Sequence, residues 1–178
     1  MYDESMKAVF LDRDGTLIVD PPDLRVDAVE KIKLFPDTIA ALKILSKLDY
    51  KVFIISNQAG IAEGRISMQD FEFINSKVIE QLAPSGMHIE KTYVCPHDDR
   101  ENCTCRKPKP GMLLQAAEEY GIDLTDSWMI GDRHTDMQAG HRAGVKTVLV
   151  LTGNLPIQSE EADYTADSLE DAISYIAT

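Results

Sequence analysis

The sequence predicts an α/β fold, a Rossmann-like, mainly parallel sheet with helices on both faces, and three observations carry that expectation. Short apolar runs alternate with amphipathic helical stretches. Three of those runs are followed at once by polar clusters. No stretch of the 178 residues reads as an internal repeat, a low-complexity linker or a second domain, so residues 1–178 are expected to form one domain. Strands alternating with helices imply right-handed crossovers and hence parallel pairing. In such sheets the sites lie at the carboxyl ends of the strands.

The elements follow in order. Lys7 to Leu11 (KAVFL) and Lys51 to Ser56 (KVFIIS) are strand-like and bracket a helical stretch, TIAALKILSKL, with Asp37 read as its N-cap. A second helix is expected from Ser67, where Ser-Met-Gln-Asp resembles a capping box with Asp in place of Glu, to about Ala83, before Pro84 and Gly86. A strand follows over about Ile89 to Val94. After an irregular segment, PGMLLQAAEEYG reads as a helix with Pro110 at its start and Gly121 just past its end. The run SWMIG, a helix from about Thr135 to Ala143 and the run KTVLVL complete the alternation. After Lys146 there is no Lys or Arg, whereas Glu160, Glu161, Asp163, Asp167, Glu170 and Asp171 are acidic. That tail reads as a solvated face plus a final helix.

A formal net charge of −12 repels nucleic acid and anionic membranes, so an anionic substrate must be caught by a local positive site. No run approaches the roughly twenty apolar residues of a membrane helix, and the start MYDESMKAVF lacks the layout of a secretory signal. The expectation is a cytoplasmic protein without nucleic-acid or membrane partners, monomeric or weakly self-associating. Its three cysteines, Cys95, Cys103 and Cys105, fall within eleven residues, and an odd number in a protein expected to be cytoplasmic argues against a disulfide framework.

The three polar clusters are Asp12-Arg-Asp14-Gly15-Thr16, Ser56-Asn57-Gln58 and Gly131-Asp132-Arg133. Two carboxylates at i and i+2 lie on one face of a continuing strand but about 6.6 Å apart, and a turn at Gly15 can instead aim both at one point. Asp12 suits a nucleophile, since a carboxylate attacks phosphorus without deprotonation and the acyl phosphate formed is readily hydrolysed. Asp14 suits the acid that protonates the leaving oxygen and then the base that activates water. Carboxylates crowded around a phosphate need a hard cation, so magnesium is expected, held by Asp12, Asp132 and the backbone carbonyl of Asp14. Ser56 can donate to the phosphoryl oxygens and Lys107 can neutralise charge growing on them. Asn57, Gln58 and Arg133 are read as substrate-binding, and Asp136 as orienting Lys107 or a metal-bound water.

An Asp at a strand end is more often a turn or capping residue, and only the combination changes that reading. D-x-D-G-T after a strand, Ser after a second, Lys in a following loop and G-D-x-x-x-D after a later strand resemble the haloacid dehalogenase-like phosphatases over about residues 7 to 153. The resemblance implies the roles just given to Asp12, Asp14, Ser56, Lys107 and Asp132.

Cys95-Pro-His97, five residues, then Cys103-Thr-Cys105 offers the ligand set of a closed tetrahedral zinc site, structural because no position is left open for water. Zinc there would fix the loop that aims the adjoining Arg106 and Lys107. The segment with CRKPKPGM is similar to the branch that contains the heptose 1,7-bisphosphate and histidinol-phosphate phosphatases, which implies that Arg106 contributes to substrate recognition. Residues 57–62 (NQAGIA), PKPGM and Leu151-Thr152-Gly153 look like the heptose enzymes. The short zinc spacer and PPDLRVDAVEKI look like the histidinol enzymes, and Glu63 stands where heptose-type sequences usually carry Arg.

The gaps between motifs hold core elements and leave no room for a separate cap domain. Closure would then fall to loops, chiefly about Ile18 to Lys33 and the zinc loop. The substrate expected is a small phosphate monoester, first a heptose bisphosphate, second histidinol phosphate. An open site could also admit a nucleic acid end, against which the acidic composition weighs. A phospho-acceptor switch with a long-lived phosphoaspartate is the other class of reading, and Asp14, placed to activate water, argues against it.

Overall fold

The computed structural model describes residues 6–154 and 161–178. Glu160 of the acidic tail and the first five residues of MYDESMKAVF lie outside them. The strands are β1 (Ala8–Leu11), β2 (Lys51–Asn57), β3 (Ile89–Cys95), β4 (Trp128–Gly131), β5 (Lys146–Val150) and β6 (Tyr164–Ala166). The helices are α1 (Thr38–Leu45), α2 (Ala59–Ala62), α3 (Met68–Leu82), α4 (Gly111–Tyr120), α5 (His134–Ala143) and α6 (Leu169–Ile176). Among the described residues these six strands form one sheet, β3-β2-β1-β4-β5-β6, paired parallel throughout.

The apolar runs have no polar alternation because both faces of the sheet are covered. Val9, Leu11, Val52, Ile54 and Ile130 pack with Leu42 and Leu45 of α1, Ile74 and Val78 of α3 and Ile173 of α6. Phe10, Phe53, Ile55 and Met129 turn the other way, against Met112, Leu113 and Ala116 of α4 and Ala139 of α5. Phe53 meets the edge of Tyr120 at 4.9 Å and stacks on Phe10 at 5.6 Å between centroids. Burial of these side chains on both faces makes the strands rigid mounts for whatever follows their carboxyl ends.

The expected elements are present, with three differences. Asp37 does not cap α1: its backbone is already helical (φ −93°, ψ −9°), which keeps its side chain from reaching back, and its carboxylate instead accepts from the Glu170 N–H of α6 at 2.9 Å. The edge strand β6 was not anticipated, because three residues in an acidic tail carry no periodic signal and owe their conformation to pairing with β5. The one-turn helix α2 follows Gln58 directly and is too short to show a helical period. The Ser67 capping box of α3 is formed, with Ser67 Oγ accepting from Asp70 N at 3.0 Å and Asp70 accepting from Ser67 N at 3.2 Å.

Two features fix where the site falls. The central strand β1 lies between β2 and β4, so the chain leaves it toward one side and later returns on the other, opening a crevice at the carboxyl ends. Helix α5 sits unusually close to the sheet, since a Cβ on Gly140 would lie 2.6 Å from Thr147 Cγ2 and 3.0 Å from Met129 Cβ. That close approach sets the depth of Asp136, one turn earlier on the same helix. Among the described residues no helix is long and apolar enough to cross a membrane.

Candidate active site

Register brings the strand-end clusters to one level. Leu11 pairs with Ile54 on one side and Ile130 on the other, and the Asp12 N–H continues the ladder to the Ile130 carbonyl at 2.9 Å. The chain then turns sharply. Gly15 adopts φ +86°, a conformation open to glycine, and its N–H donates to the Ile18 carbonyl at 2.8 Å. Thr152 Oγ1 donates to the Gly15 carbonyl at 2.7 Å, tying this turn to the loop after β5.

The turn and that loop together cradle Asp132. A Cβ on either Gly15 or Gly153 would collide with the Asp132 carboxylate, so backbone closes on it from two sides. Thr16 Oγ1 donates to Asp132 Oδ1 at 3.4 Å, while buried Asp132 Oδ2 has no hydrogen-bond partner among the described residues. Burial, with the charges of Asp12 and Asp136, pushes Asp132 up to about 9. Burial likewise raises Asp136 to about 6, against the opposing pull of Lys107. Oxygens of Asp12, Asp132 and Asp136 lie within 4.8 Å of one another, a donor set suited to a hard cation. The orphaned oxygen and the strained carboxylates fit the magnesium that the sequence leads one to expect.

Lys107 is the counter-charge. Its Nζ donates to Asp12 Oδ1 at 2.7 Å and to the Ile55 carbonyl at 2.8 Å, and lies 2.7 Å from Asp136 Oδ1. The first two contacts are hydrogen bonds and the third is an ion pair. Burial opposes its charge, but the two carboxylates outweigh burial and hold the ammonium above its ordinary value. Asp136 therefore touches Lys107, as its spacing from Asp132 had suggested. Lys107 is in turn fixed from β2, because Asn57 accepts from its N–H at 3.1 Å and donates to its carbonyl at 3.0 Å.

Gln58 connects the remaining pair. Its amide nitrogen donates to Asp14 Oδ2 at 2.9 Å and to Ser56 Oγ at 2.8 Å, which leaves the Ser56 hydroxyl proton available for a ligand. Both amide protons of Gln58 are thus used within the protein. Arg13 also pairs with Asp14.

The zinc-type ligands converge one strand away, because Asn57 pairs with Cys95 in the sheet. The sulfur of Cys95 lies 3.0 Å from that of Cys105 and 3.6 Å from that of Cys103, and His97 Nδ1 lies 3.3 Å from Cys105 Sγ. A tetrahedron with metal–sulfur bonds of about 2.3 Å has edges of about 3.8 Å, which the Cys95–Cys103 separation approaches and the Cys95–Cys105 separation falls short of. The three cysteines form no disulfide. Burial raises Cys95 and Cys105. At Cys103 burial is outweighed by the Arg106 N–H and the neighbouring thiols, which bring it down to about 7. The cluster can hold a thiophilic metal, and Arg106 leaves it anchored, with Nη1 donating to the His97 carbonyl at 3.3 Å.

A cleft of about 850 Å³ opens over Asp12, Asp14, Lys107 and Asp132, with Asn57, Gln58, Arg106 and Arg133 on its walls. Ser56 lies beneath Gln58, and the Cys95, His97, Cys103, Cys105 cluster stands apart as a support. The cleft also carries Arg25 and Arg65, so four guanidiniums and Lys107 line it among eight carboxylates, with Arg65 paired to Glu63 and Arg106 to Asp99; the local positive site expected from the net charge is absent from this lining without a bound cation. Residues 23–27 form part of the rim, within the loop expected to cover the site.

Sequence reasoning missed Asp20. Its side chain is buried, Oδ2 pairs with Arg133 Nη2 at 3.4 Å, Oδ1 has no hydrogen-bond partner among the described residues, and burial raises its pKa against the pull of Arg133. Its one visible signal was a lone carboxylate ending the apolar run Leu17–Val19. His141 is exposed and lies 3.0 Å from Thr147 Oγ1.

A carboxylate raised from about 3.8 in the unfolded chain to about 9 keeps its proton in the folded protein. The metal-free fold therefore binds more protons than the unfolded chain between those values, and stability falls as pH rises across that window. Without magnesium, raising the pH from about 5 to about 9 should lower the melting temperature of wild type relative to Asp132→Asn. Millimolar magnesium should restore wild type more at the higher pH and leave Asp132→Asn nearly unchanged. Thermal melts with and without chelator check this; parallel pH profiles of the two proteins would contradict it.

The comparisons with known proteins agree with this geometry. The HAD-hydrolase-like family model matches residues 104–172. A D-glycero-beta-D-manno-heptose-1,7-bisphosphate 7-phosphatase of Haemophilus influenzae is 42% identical over 93% of this chain and 94% of its own length. One of Helicobacter pylori is 39% identical over 96% of this chain and 97% of its own. Among solved structures, a D,D-heptose 1,7-bisphosphate phosphatase from B. bronchiseptica, complexed with magnesium and phosphate, superposes with a TM-score of 0.86 at 30% identity. That match covers 97% of this chain and 98% of the other. With a parallel sheet in this order, a carboxylate and lysine cluster at its switch point and relatives matched along nearly their full length, the chain belongs to the haloacid dehalogenase-like phosphatases, in the branch of the heptose bisphosphate enzymes.

Proposed function

We propose that the chain is a single phosphatase domain that removes the 7-phosphate of a D-glycero-D-manno-heptose 1,7-bisphosphate through a phosphoaspartate on Asp12, with magnesium in the carboxylate site and zinc in the cysteine cluster. The observation that carries the chemistry is Asp12 bonded to Lys107 beside the unpartnered Oδ2 of Asp132, at the foot of a cleft that also carries four arginines. The heptose substrate rests on the relatives, matched along nearly their whole length.

An Asp12 oxygen attacks phosphorus as the bond to the sugar oxygen breaks, and Asp14 passes its proton to that leaving oxygen. Asp14 then takes a proton from the water that attacks phosphorus and frees Asp12. Ser56 directs its hydroxyl at the phosphoryl group, and Lys107 balances charge on Asp12 and on the oxygens in transfer. Magnesium, held by Asp12, Asp132 and the Asp14 carbonyl, would supply the positive charge that lets a phosphate approach these carboxylates. Arg106 and Arg133 face the rest of the substrate across the cleft, with Asn57 and Gln58 holding Lys107 and Asp14 in place. Zinc would be structural, keeping Arg106 and Lys107 at the cleft wall; three reduced thiols fit a reducing cytoplasm.

Phosphate release with magnesium should be fastest from heptose 1,7-bisphosphate in a panel with histidinol phosphate, other sugar phosphates and a 3′-phosphorylated oligonucleotide. Asp12→Asn should cut turnover by about 10³-fold or more without changing the melting temperature greatly. Preference for histidinol phosphate would overturn the substrate, and an active Asp12→Asn the nucleophile. Cys103→Ser should lower zinc per chain, measured by metal analysis, and destabilise the fold. Unchanged zinc content would refute the assignment of the cluster.

A further inference from the structure

We propose that Arg13, between the two catalytic aspartates, is a positioning residue that holds the Asp14 carboxyl in line for proton transfer. The proposal rests on the phosphatase reading above. Arg13 follows the nucleophile directly, yet it points away from the cleft and is fully buried. Burying a guanidinium is costly unless it is paired. Its one ion pair among the described residues is with Asp14, and it is two-pronged: Nε reaches Oδ2 and Nη2 reaches Oδ1, each at 3.1 Å.

The guanidinium carbon lies 4.9 Å from the centroid of the Phe71 ring on α3, which gives the cation a fixed platform. A planar fork against both oxygens sets the plane of the carboxylate, which a point charge such as lysine cannot do. Gln58 anchors the same carboxylate from the cleft side through Oδ2, and through Ser56 Oγ ties it to a phosphate donor. Asp14 is thus held from below by Arg13 and from above by Gln58, with part of its side chain still open to the cleft. The proton of Asp14 has to reach the leaving oxygen as the phosphorus–oxygen bond breaks, and a small misplacement of the donor slows that step by orders of magnitude.

A purely structural role for Arg13 would slow all substrates alike, whereas a positioning role depends on the leaving group. An alkoxide needs the proton; nitrophenolate does not. The test measures kcat/KM, which reports steps up to transfer of phosphate to Asp12, for a primary alkyl phosphate and for p-nitrophenyl phosphate. Wild type, Arg13→Met, Arg13→Lys and Asp14→Asn are compared. In both Arg13 variants the alkyl-to-aryl ratio should fall by about tenfold or more, in the same sense as in Asp14→Asn. An unchanged ratio in either folded variant would overturn the proposal, and if Arg13→Met does not fold, Arg13→Lys alone decides. A wild type inactive on both esters would overturn the phosphatase reading with it, whereas an active wild type with parallel losses would overturn the role of Arg13 alone.

Discussion

The site is organised by an unbalanced set of buried charges. Asp12, Asp132 and Asp136 converge where β1 and β4 end, and Asp20 lies buried beside them, with Lys107 and Arg133 as the cations they share. Asp14 is matched by Arg13. Four carboxylates against two cations leave a deficit that burial makes expensive, and the raised pKa values of Asp132 and Asp136 express it. A divalent cation is the natural complement. Such a cation would balance the charge, so that a dianionic phosphate could enter a site that otherwise repels it and Asp12 could serve in the proposed role of nucleophile.

The fold delivers these groups with little slack. Parallel register puts Asp12 level with the ends of β2 and β4, glycines at 15 and 153 let backbone close around Asp132, and glycine at 140 seats the helix that carries Asp136. Lys107 comes from a loop, the least rigid source for a buried charge. Two devices compensate: the reciprocal hydrogen bonds with Asn57, and the Cys and His cluster two residues upstream. A metal in that cluster would act on catalysis through position alone.

Much of this was legible in the sequence because each feature is local. Apolar runs interrupted by Gly and Asp gave the strands and their polar ends, and ligand spacing gave the cysteine cluster. What was not legible depends on contacts between distant segments. The edge strand β6 exists because β5 is there to pair with, and Asp37 caps α6 rather than α1 because the two helices pack together. Asp20 and Arg13 gave no motif of their own. The importance of Arg13 lies in a pairing partner, Asp14, and a platform, Phe71, that only the folded chain brings around it. Gln58 could be placed at the site from its position after β2, but its two donors could be assigned only from the geometry.

The central claim is that Asp12 carries the phosphoryl group. The direct measurement is to quench the enzyme in acid during steady turnover, reduce the sample with borohydride and map its peptides by mass spectrometry. Reduction of an acyl phosphate converts its aspartate to homoserine, and the account predicts that conversion at Asp12 alone, dependent on substrate and magnesium. Conversion at another aspartate, or none in an enzyme that is turning over, would contradict it.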